Sequence, residues 1–112
     1  MEKQIIDKIW NEELSRFEMQ KDNIYWRHGY PKDFARSYVQ KFEDKNSIRV
    51  TIDDTLESEK KVRGDTRHEL THAFCYKHNL AQSEILCIVA QFFPDFVLNH
   101  YKRILERRKS KS

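Results

Sequence analysis

The chain has 112 residues, of which 38% are hydrophobic and 35% charged, and its formal net charge is +3. This length is typical of one domain with a modest core, and it excludes a separate regulatory domain. The aromatic fraction of 12% argues against a chain that is disordered throughout.

The sequence indicates a cytoplasmic protein without a membrane partner. No stretch approaches the roughly 20 apolar residues that cross a bilayer. Charges interrupt the N-terminal stretch MEKQIIDKIWNEELSRF, which is unlike a signal peptide. Cys75 and Cys87 form no CxxC pair, so we expect reduced, buried thiols rather than a disulfide framework.

Positive charge is concentrated at the C-terminus. The segment from Tyr101 to Ser112 contains six basic residues and one acid, whereas the remainder has slightly more acids than bases. Such a tail can contact nucleic acid or an acidic partner. Lysine and arginine are also favoured at the negative end of a helix, and the sequence favours this structural explanation. No helix-turn-helix or zinc-finger spacing supports a nucleic-acid reader.

In the N-terminal half, the patterns predict a helix followed by strands. Apolar residues at three- and four-residue steps predict an amphipathic helix over residues 2–20. Residues 23–28 form a break or short strand, and HGYP a loop. Residues 37–42 favour a strand by composition, although their surroundings also allow a helix. Apolar and polar residues then alternate from Ile48 to Asp53, which predicts a strand paired antiparallel with the previous one through the loop EDKNS.

Helices are predicted for the C-terminal half. A polar connector leads to Asp65 or Thr66, either of which can cap a helix that runs through His68 to about His78. Asn79 is a suitable end signal for that helix.

Two further helices follow. Ser83 is the expected cap of the first, whose apolar residues cover most of its circumference and predict burial in the core. Pro94 breaks that helix, and an amphipathic helix continues from it. We expect a single domain over residues 1–109 and a frayed basic tail at 110–112.

The segment RHELTHA contains the pattern HExxH. In a helix, His68 and His72 lie one turn apart on one face, so both imidazoles can point at one metal ion. Glu69 is adjacent on the helix and can take a proton from a water activated on that metal, then pass it to a leaving amine. The pattern predicts a Zn²⁺ site in which Glu69 is catalytic. The alternative is a chance pair of polar residues in one helix.

A catalytic zinc site needs a third protein ligand and an open fourth position. The downstream candidates are His78, Glu84, Asp95, His100 and Glu106. Glu84 is favoured because an ionised carboxylate at the start of an apolar helix is costly unless it is exposed, capping or coordinated. Its structural alternative is a charge at the helix N-terminus, and Asp95 and His100 remain alternative ligands.

The segment TRHELTHAF, preceded by SIRVTID and followed by SEILCIVAQFF, resembles the small zinc peptidase-like proteins of phages and mobile elements. These are similar to the ImmA/IrrE and SprT-like groups of the zincin superfamily. The resemblance implies that His68 and His72 bind zinc, that Glu69 is the general base and that Glu84 completes the site. It covers about residues 48–93.

The resemblance also has implications for the substrate. It implies that the strand from Ile48 to Asp53 lies at the edge of a small sheet, where it can align a substrate peptide by strand addition. It further implies a residue that stabilises the developing oxyanion. The candidates for that role are Tyr76, His100 and Tyr101.

The sequence therefore predicts a small α+β, zincin-like domain. It has an N-terminal helix, a short antiparallel sheet, and an HExxH helix followed by two packed helices. The expected function is a zinc-dependent metallopeptidase that hydrolyses a peptide bond in a specific cytoplasmic protein. The alternative is a non-catalytic zincin-fold protein, a phage accessory protein or host-defence inhibitor, that acts by binding a protein partner. The sequence does not predict the oligomeric state.

Overall fold

The computed structural model describes residues 2–29, 38–42, 47–53, 56 and 58–110. The elements in chain order are α1 (Lys3–Arg16), β1 (Ile24–Gly29), β2 (Tyr38–Phe42), β3 (Ser47–Asp53), α2 (Glu59–His78), α3 (Glu84–Ala90) and α4 (Pro94–Ser110). The fold is α+β, as predicted. The predicted loop HGYP is wrong for His28 and Gly29, which end β1, and its residues 30–31 lie outside the described residues. Residues 43–46 of the predicted loop EDKNS also lie outside them, and Ser47 begins β3.

The three strands form a mixed sheet in the order β1-β3-β2. β2 and β3 run antiparallel, with Val39 opposite Val50, as the hairpin prediction requires. β1 and β3 run parallel, with Ile24 opposite Ile48. The prediction of an antiparallel sheet is therefore wrong for this pair. Periodicity identifies a strand but not the direction of its neighbour, and the sequence marks β1 only as a break or short strand.

β3 is the central strand, since β1 pairs with one of its sides and β2 with the other. The prediction that the strand from Ile48 to Asp53 is an edge strand is wrong for that reason. Both of its sides already have backbone partners, so it has no free edge for a substrate. Full burial of Val50 and Ile52 agrees with this central position.

The core lies between α1, the sheet and the long helix α2. α1 buries one face, and it ends at Arg16, four residues before the predicted end. Glu18 then adopts a positive φ of 57°, which turns the chain toward β1. The core residues of these three elements are Ile6, Ile9, Trp10, Leu14, Ile24, Val50, Ile52, Val62, Leu70, Ala73, Phe74 and Cys75.

α2 is longer than predicted because it begins earlier. Ser58 is its N-cap, and the Ser58 hydroxyl accepts a hydrogen bond from the Lys61 backbone N–H. The prediction of a cap at Asp65 or Thr66 is wrong, since both residues lie within the helix. The predicted end is confirmed: Asn79 follows the last helical residue in the left-handed conformation, with φ 53°.

α3 has seven residues, and Ser83 caps it as predicted by accepting from the Leu86 backbone N–H. The prediction that this helix is buried all round is wrong. α3 buries Cys87 and Ala90 against the core, whereas the other side of this short helix faces solvent. Ile85 and Ile88 of α3 are exposed, as are Phe92 and Phe93 after it and Phe96 in α4.

α4 begins at Pro94, where the predicted break occurs, and it buries Val97, Leu98 and Tyr101. It continues to Ser110, so residue 110, predicted as frayed, is helical, while 111–112 lie outside the described residues. Among the described helices, none is both long enough and apolar enough to cross a membrane.

Candidate metal centre

The two histidines of α2 face the first residue of α3. His68 Nε2 lies 2.8 Å from Glu84 Oε1, and His72 Nε2 lies 3.2 Å from Glu84 Oε2. The two imidazole centroids are 5.3 Å apart, as expected for positions one helical turn apart. The described structure therefore brings Glu84 to the histidine pair, which is where the sequence analysis expects the third ligand.

A short reversal of the chain creates this arrangement. After Asn79, the Leu80 backbone N–H donates to the Cys75 carbonyl at 2.9 Å, which closes the end of α2. Leu80 is buried and anchors the turn. Ser83 caps α3 only a few residues later. Glu84, the first residue of α3, therefore lies over the last turns of α2.

A glutamine amide orients each imidazole. His72 Nδ1 lies 2.8 Å from Gln82 Oε1, and the Gln82 amide nitrogen donates to the His72 carbonyl at 3.2 Å. Because Gln82 Oε1 can only accept, Nδ1 of His72 carries the proton and Nε2 has a lone pair. His68 Nδ1 lies 2.9 Å from Gln91 Nε2, which fixes the other ring from α3's C-terminal end.

The contact between His72 and Glu84 requires a positive charge. With Nδ1 donating to Gln82, Nε2 of His72 and the carboxylate are both acceptors, and two acceptors attract only through a proton or a metal ion. Donor atoms of a tetrahedral zinc site lie roughly 3.3 Å apart, given bond lengths of about 2.0–2.1 Å. The observed 2.8 and 3.2 Å differ from that spacing by only a few tenths of an ångström. The donor set therefore fits Zn²⁺.

Cys87 belongs to the same cluster. Ligand atoms of His68, His72 and Cys87 all lie within 4.8 Å of one another, and within the described residues no other such group meets this criterion. Cys87 is fully buried, one turn after Glu84 in α3. The sequence analysis treated this residue only as a buried thiol. Its spacing of three residues from Glu84 is the signal that could have identified it.

Exposure shows where the site meets solvent. The His68 and His72 side chains are 3% and 20% exposed, whereas the Glu84 side chain is 45% exposed. Glu69, beside His68 in α2, is 4% exposed. The centre is therefore buried at His68 and Cys87 and opens to water at His72 and Glu84.

The alternative ligands lie elsewhere. Asp95 forms an ion pair with Arg16 at 3.2 Å. His100 is exposed on α4, with its ring 5.6 Å from that of Tyr101. His78 packs on Phe74 with ring centroids 4.4 Å apart.

The two tyrosines that are candidates for oxyanion stabilisation lie in different environments. The Tyr76 side chain is on the surface, and Tyr101 is buried. Burial raises the pKa of Tyr101, and the neighbouring Cys75 and Cys87 thiols raise it further.

A buried ion cluster behind α2 fixes the helix against α1 and α3. The fully buried Glu13 carboxylate accepts hydrogen bonds from Arg63 Nη1 and Arg67 Nε, both at 2.8 Å, and from Arg16 Nε at 3.1 Å. Arg67 also donates to the Gln91 carbonyl at 3.2 Å. Burial by itself raises the pKa of Glu13, but the hydrogen bonds from Arg67 and Arg63 outweigh it and hold that pKa below its ordinary value. The sequence analysis missed this cluster.

Comparison with known proteins provides no family assignment. No protein-family model matches the chain, and neither a curated protein nor a solved structure matches it significantly. The residues of the site itself therefore indicate the function.

Proposed function

We propose that this chain is a zinc-dependent, zincin-like metallopeptidase that hydrolyses a peptide bond in a specific cytoplasmic protein. The observation that carries the proposal is the convergence of His68 Nε2 and His72 Nε2 on the Glu84 carboxylate. In this proposal His68, His72 and Glu84 hold the ion, and Glu69 is the catalytic residue.

A Zn²⁺ ion at this position would supply a Lewis acid that activates water and polarises a peptide carbonyl. The protein residues then have separate roles. Gln82 keeps the His72 imidazole aimed at the ion, and Gln91 would hold His68 in the same way once its amide turns its oxygen toward Nδ1. Glu69 accepts the proton of the attacking water and delivers it to the leaving nitrogen. Burial of Glu69 keeps this proton transfer away from bulk water.

The position of the centre supports a protein substrate. Its open side is formed by His72 and Glu84, at the surface of a small domain. A substrate segment must therefore lie across the outside of the molecule. Strand addition remains possible at the outer side of β1 or β2, since the central β3 is already paired on both sides.

A second candidate function has its own supporting observation. Cys87 provides a further donor beside the two histidines. Four protein donors are typical of closed, structural zinc sites, which leave no position for a substrate. On that basis the chain would be a metal-stabilised zincin-fold protein that acts by binding a protein partner.

Metal content tests the first half of the proposal. Protein purified without a histidine tag should contain about one zinc per chain by mass spectrometry, because three donors converge at one point. His72→Ala should lose the metal. Glu69→Gln should keep it, because Glu69 is not a ligand in this proposal. Absence of stoichiometric zinc from the unmodified chain, even after zinc is offered, would exclude the metallopeptidase.

Hydrolysis tests the second half. The zinc-loaded chain is incubated with peptides from a digested bacterial proteome, and new peptide termini are identified by mass spectrometry. The unmodified chain should generate new termini with a consistent flanking sequence, and Glu69→Gln with equal zinc should not. Zinc binding without any Glu69-dependent cleavage would instead support the binding protein.

A further inference from the structure

We propose that Cys87 is a fourth metal ligand, so that the resting ion is held by His68, His72, Glu84 and the Cys87 thiolate. This inference rests on the metal-binding half of the proposed function and is independent of hydrolysis.

The geometry of α3 brings two donors to the histidine pair. Glu84 and Cys87 are three residues apart in α3, so their side chains point to the same side of that helix. Glu84 contacts both imidazoles, and the Cys87 sulfur lies within 4.8 Å of a nitrogen of each. Nitrogen and sulfur donors of one tetrahedral zinc ion are roughly 3.6 Å apart, given bonds of about 2.0 and 2.3 Å. The Cys87 sulfur must therefore approach each nitrogen by at most about 1.2 Å. Glu84 is not a member of the 4.8 Å group, so its flexible, exposed carboxylate must also move toward the sulfur for all four donors to share one ion.

Burial alone does not explain the position of Cys87. Cys75 is the other cysteine, and it is equally buried. Cys75 lies in α2 three residues after His72, yet it is not a member of the donor cluster. Its thiol lies within hydrogen-bonding reach of the Tyr101 hydroxyl in the core, whereas Cys87 acts on Tyr101 only through its charge. The chain therefore contains one cysteine at the metal centre and one matched cysteine away from it.

Coordination by Cys87 accounts for both the proton and the charge of its thiol. The thiol loses its proton to solvent as the metal–sulfur bond forms, and the ion compensates the charge of the buried thiolate. Thiolate and imidazole together favour zinc or cobalt over magnesium or calcium, which prefer oxygen donors. The site should therefore discriminate against the cations that are common in the cell.

Four protein donors leave no open position, so one donor must leave before a water or a substrate can bind. The Glu84 side chain is 45% exposed and can return to water at little cost. The fully buried Cys87 would become an uncompensated charge in the core if it left as a thiolate. We therefore assign Glu84 as the displaceable ligand and Cys87 as the permanent one.

Cobalt substitution tests this assignment without reference to activity. Metal-free protein is titrated anaerobically with Co²⁺, and both the visible d–d bands and the near-ultraviolet sulfur-to-cobalt charge-transfer band are recorded. The unmodified chain and the matched control Cys75→Ser should show the charge-transfer band. Cys87→Ser should lose the band and bind cobalt at least about tenfold more weakly, because even groups that only hydrogen-bond a metal ligand contribute that much. Glu84→Gln should keep the band.

Two further outcomes separate the inference from the proposed function. Tetrahedral d–d bands without a charge-transfer band in the unmodified chain would overturn the role of Cys87 and leave the metallopeptidase intact. A sulfur band in a chain that cleaves no peptide would support the inference and exclude hydrolysis. If Cys87→Ser fails to fold, zinc-edge X-ray absorption of the unmodified chain decides the question. One sulfur at about 2.3 Å supports the inference, and only nitrogen and oxygen neighbours overturn it.

Discussion

Gln82 and Gln91 fix different tautomers of the histidines that they contact. Gln82 presents its amide oxygen to His72, which leaves Nε2 of that ring ready to bind a metal. Gln91 presents its amide nitrogen to His68, so Nδ1 of that ring accepts and Nε2 carries a hydrogen toward Glu84. Metal binding at His68 therefore requires the Gln91 amide to turn over and the ring to change tautomer.

Removal of the Gln82 amide should weaken metal binding without removing a ligand. Gln82→Ala leaves His72 without the acceptor that fixes its tautomer, and such outer partners contribute about 10–100-fold in metal affinity. The dissociation constant for zinc is measured by competition with a chromophoric chelator. Gln20→Ala is the control, since Gln20 is an exposed amide that contacts Ser15 on α1. Equal affinity in the two variants would show that Gln82 does not orient the ring.

At the scale of the elements, α1, α2 and α3 are held together by one carboxylate. Glu13 on α1 accepts from Arg63 and Arg67 on α2, and Arg67 continues to the last turn of α3 at Gln91. The helix that carries both histidines is thereby fixed next to its ligands, since Gln91 contacts both Arg67 and His68. A carboxylate with three guanidinium partners is stable in the core only while all of them remain in place.

Replacement of this carboxylate should be strongly destabilising. Glu13→Gln removes the counter-charge that Arg63 and Arg67 share, and loss of one partner of a fully buried ion pair typically costs about 3–5 kcal/mol. Because these arginine side chains are 28% and 17% exposed, we expect a loss at or below the lower end of that range. Urea unfolding followed by circular dichroism measures the change in the free energy of unfolding. Glu12→Gln is the matched control, because Glu12 is 45% exposed and pairs with the same Arg63. The control should change by less than about 1 kcal/mol. Similar losses in both variants would contradict a special role for Glu13.

The same carboxylate should make stability depend on pH. The pKa of Glu13 is lower in the folded chain than its ordinary value of 4.5. Its contribution is therefore fully present above the unfolded pKa and is lost as the pH falls through the folded pKa. The free energy of unfolding should fall below about pH 4.5, and more steeply than in Glu13→Gln. Urea titrations at several pH values from neutral to acidic would detect this difference, and parallel curves for the two proteins would exclude it.

Sequence patterns could predict part of the candidate site because three of its residues are close together in the sequence. His68, Glu69 and His72 need only one continuous helix to lie near one another, and the 20-residue helix α2 provides it. Glu84 follows from the shortness of the turn between α2 and α3. Glu13 could not be predicted, because an acid in an amphipathic helix is ordinarily solvated and its partners are about fifty residues away. Its role depends on tertiary packing.

The same limit applies to the fold. The alternation in β3 and the caps at Ser83 and Asn79 are local signals, and the structure confirms them. The parallel partner of β3 and the exposure of α3 depend on where distant elements pack. Hydrophobicity predicted that α3 is buried, but a seven-residue helix at the surface buries only the side that carries Cys87.

At the scale of the whole molecule, part of the basic C-terminal segment has a structural role. Arg108 donates to the carbonyls of His78 and Asn79, both at 3.1 Å, and so caps the end of α2. Lys102 forms an ion pair with Glu18 at 2.7 Å. Two of the basic residues in this segment therefore fix α4 to the rest of the domain, in line with the structural explanation of the charge.

Metal binding should stabilise the whole domain because the donors lie in two elements, α2 and α3. A ligand that binds only the folded state at 100 times its dissociation constant adds about 2.7 kcal/mol. For a chain of this size that corresponds to a rise in Tm of roughly 10 °C. Differential scanning calorimetry with and without zinc measures it. His72→Ala should show no rise, and a rise of equal size in that variant would indicate that zinc binds elsewhere.

The order of the strands also has a consequence for folding. β2 and β3 are close in sequence and can pair first as a hairpin, whereas β1 meets β3 across the 24 positions that separate Ile24 from Ile48. Since the β1–β3 pairing must close the longer loop, we expect it to form after the β2–β3 hairpin. In a newly made chain, the inner edge of β1 would then be exposed until β3 covers it.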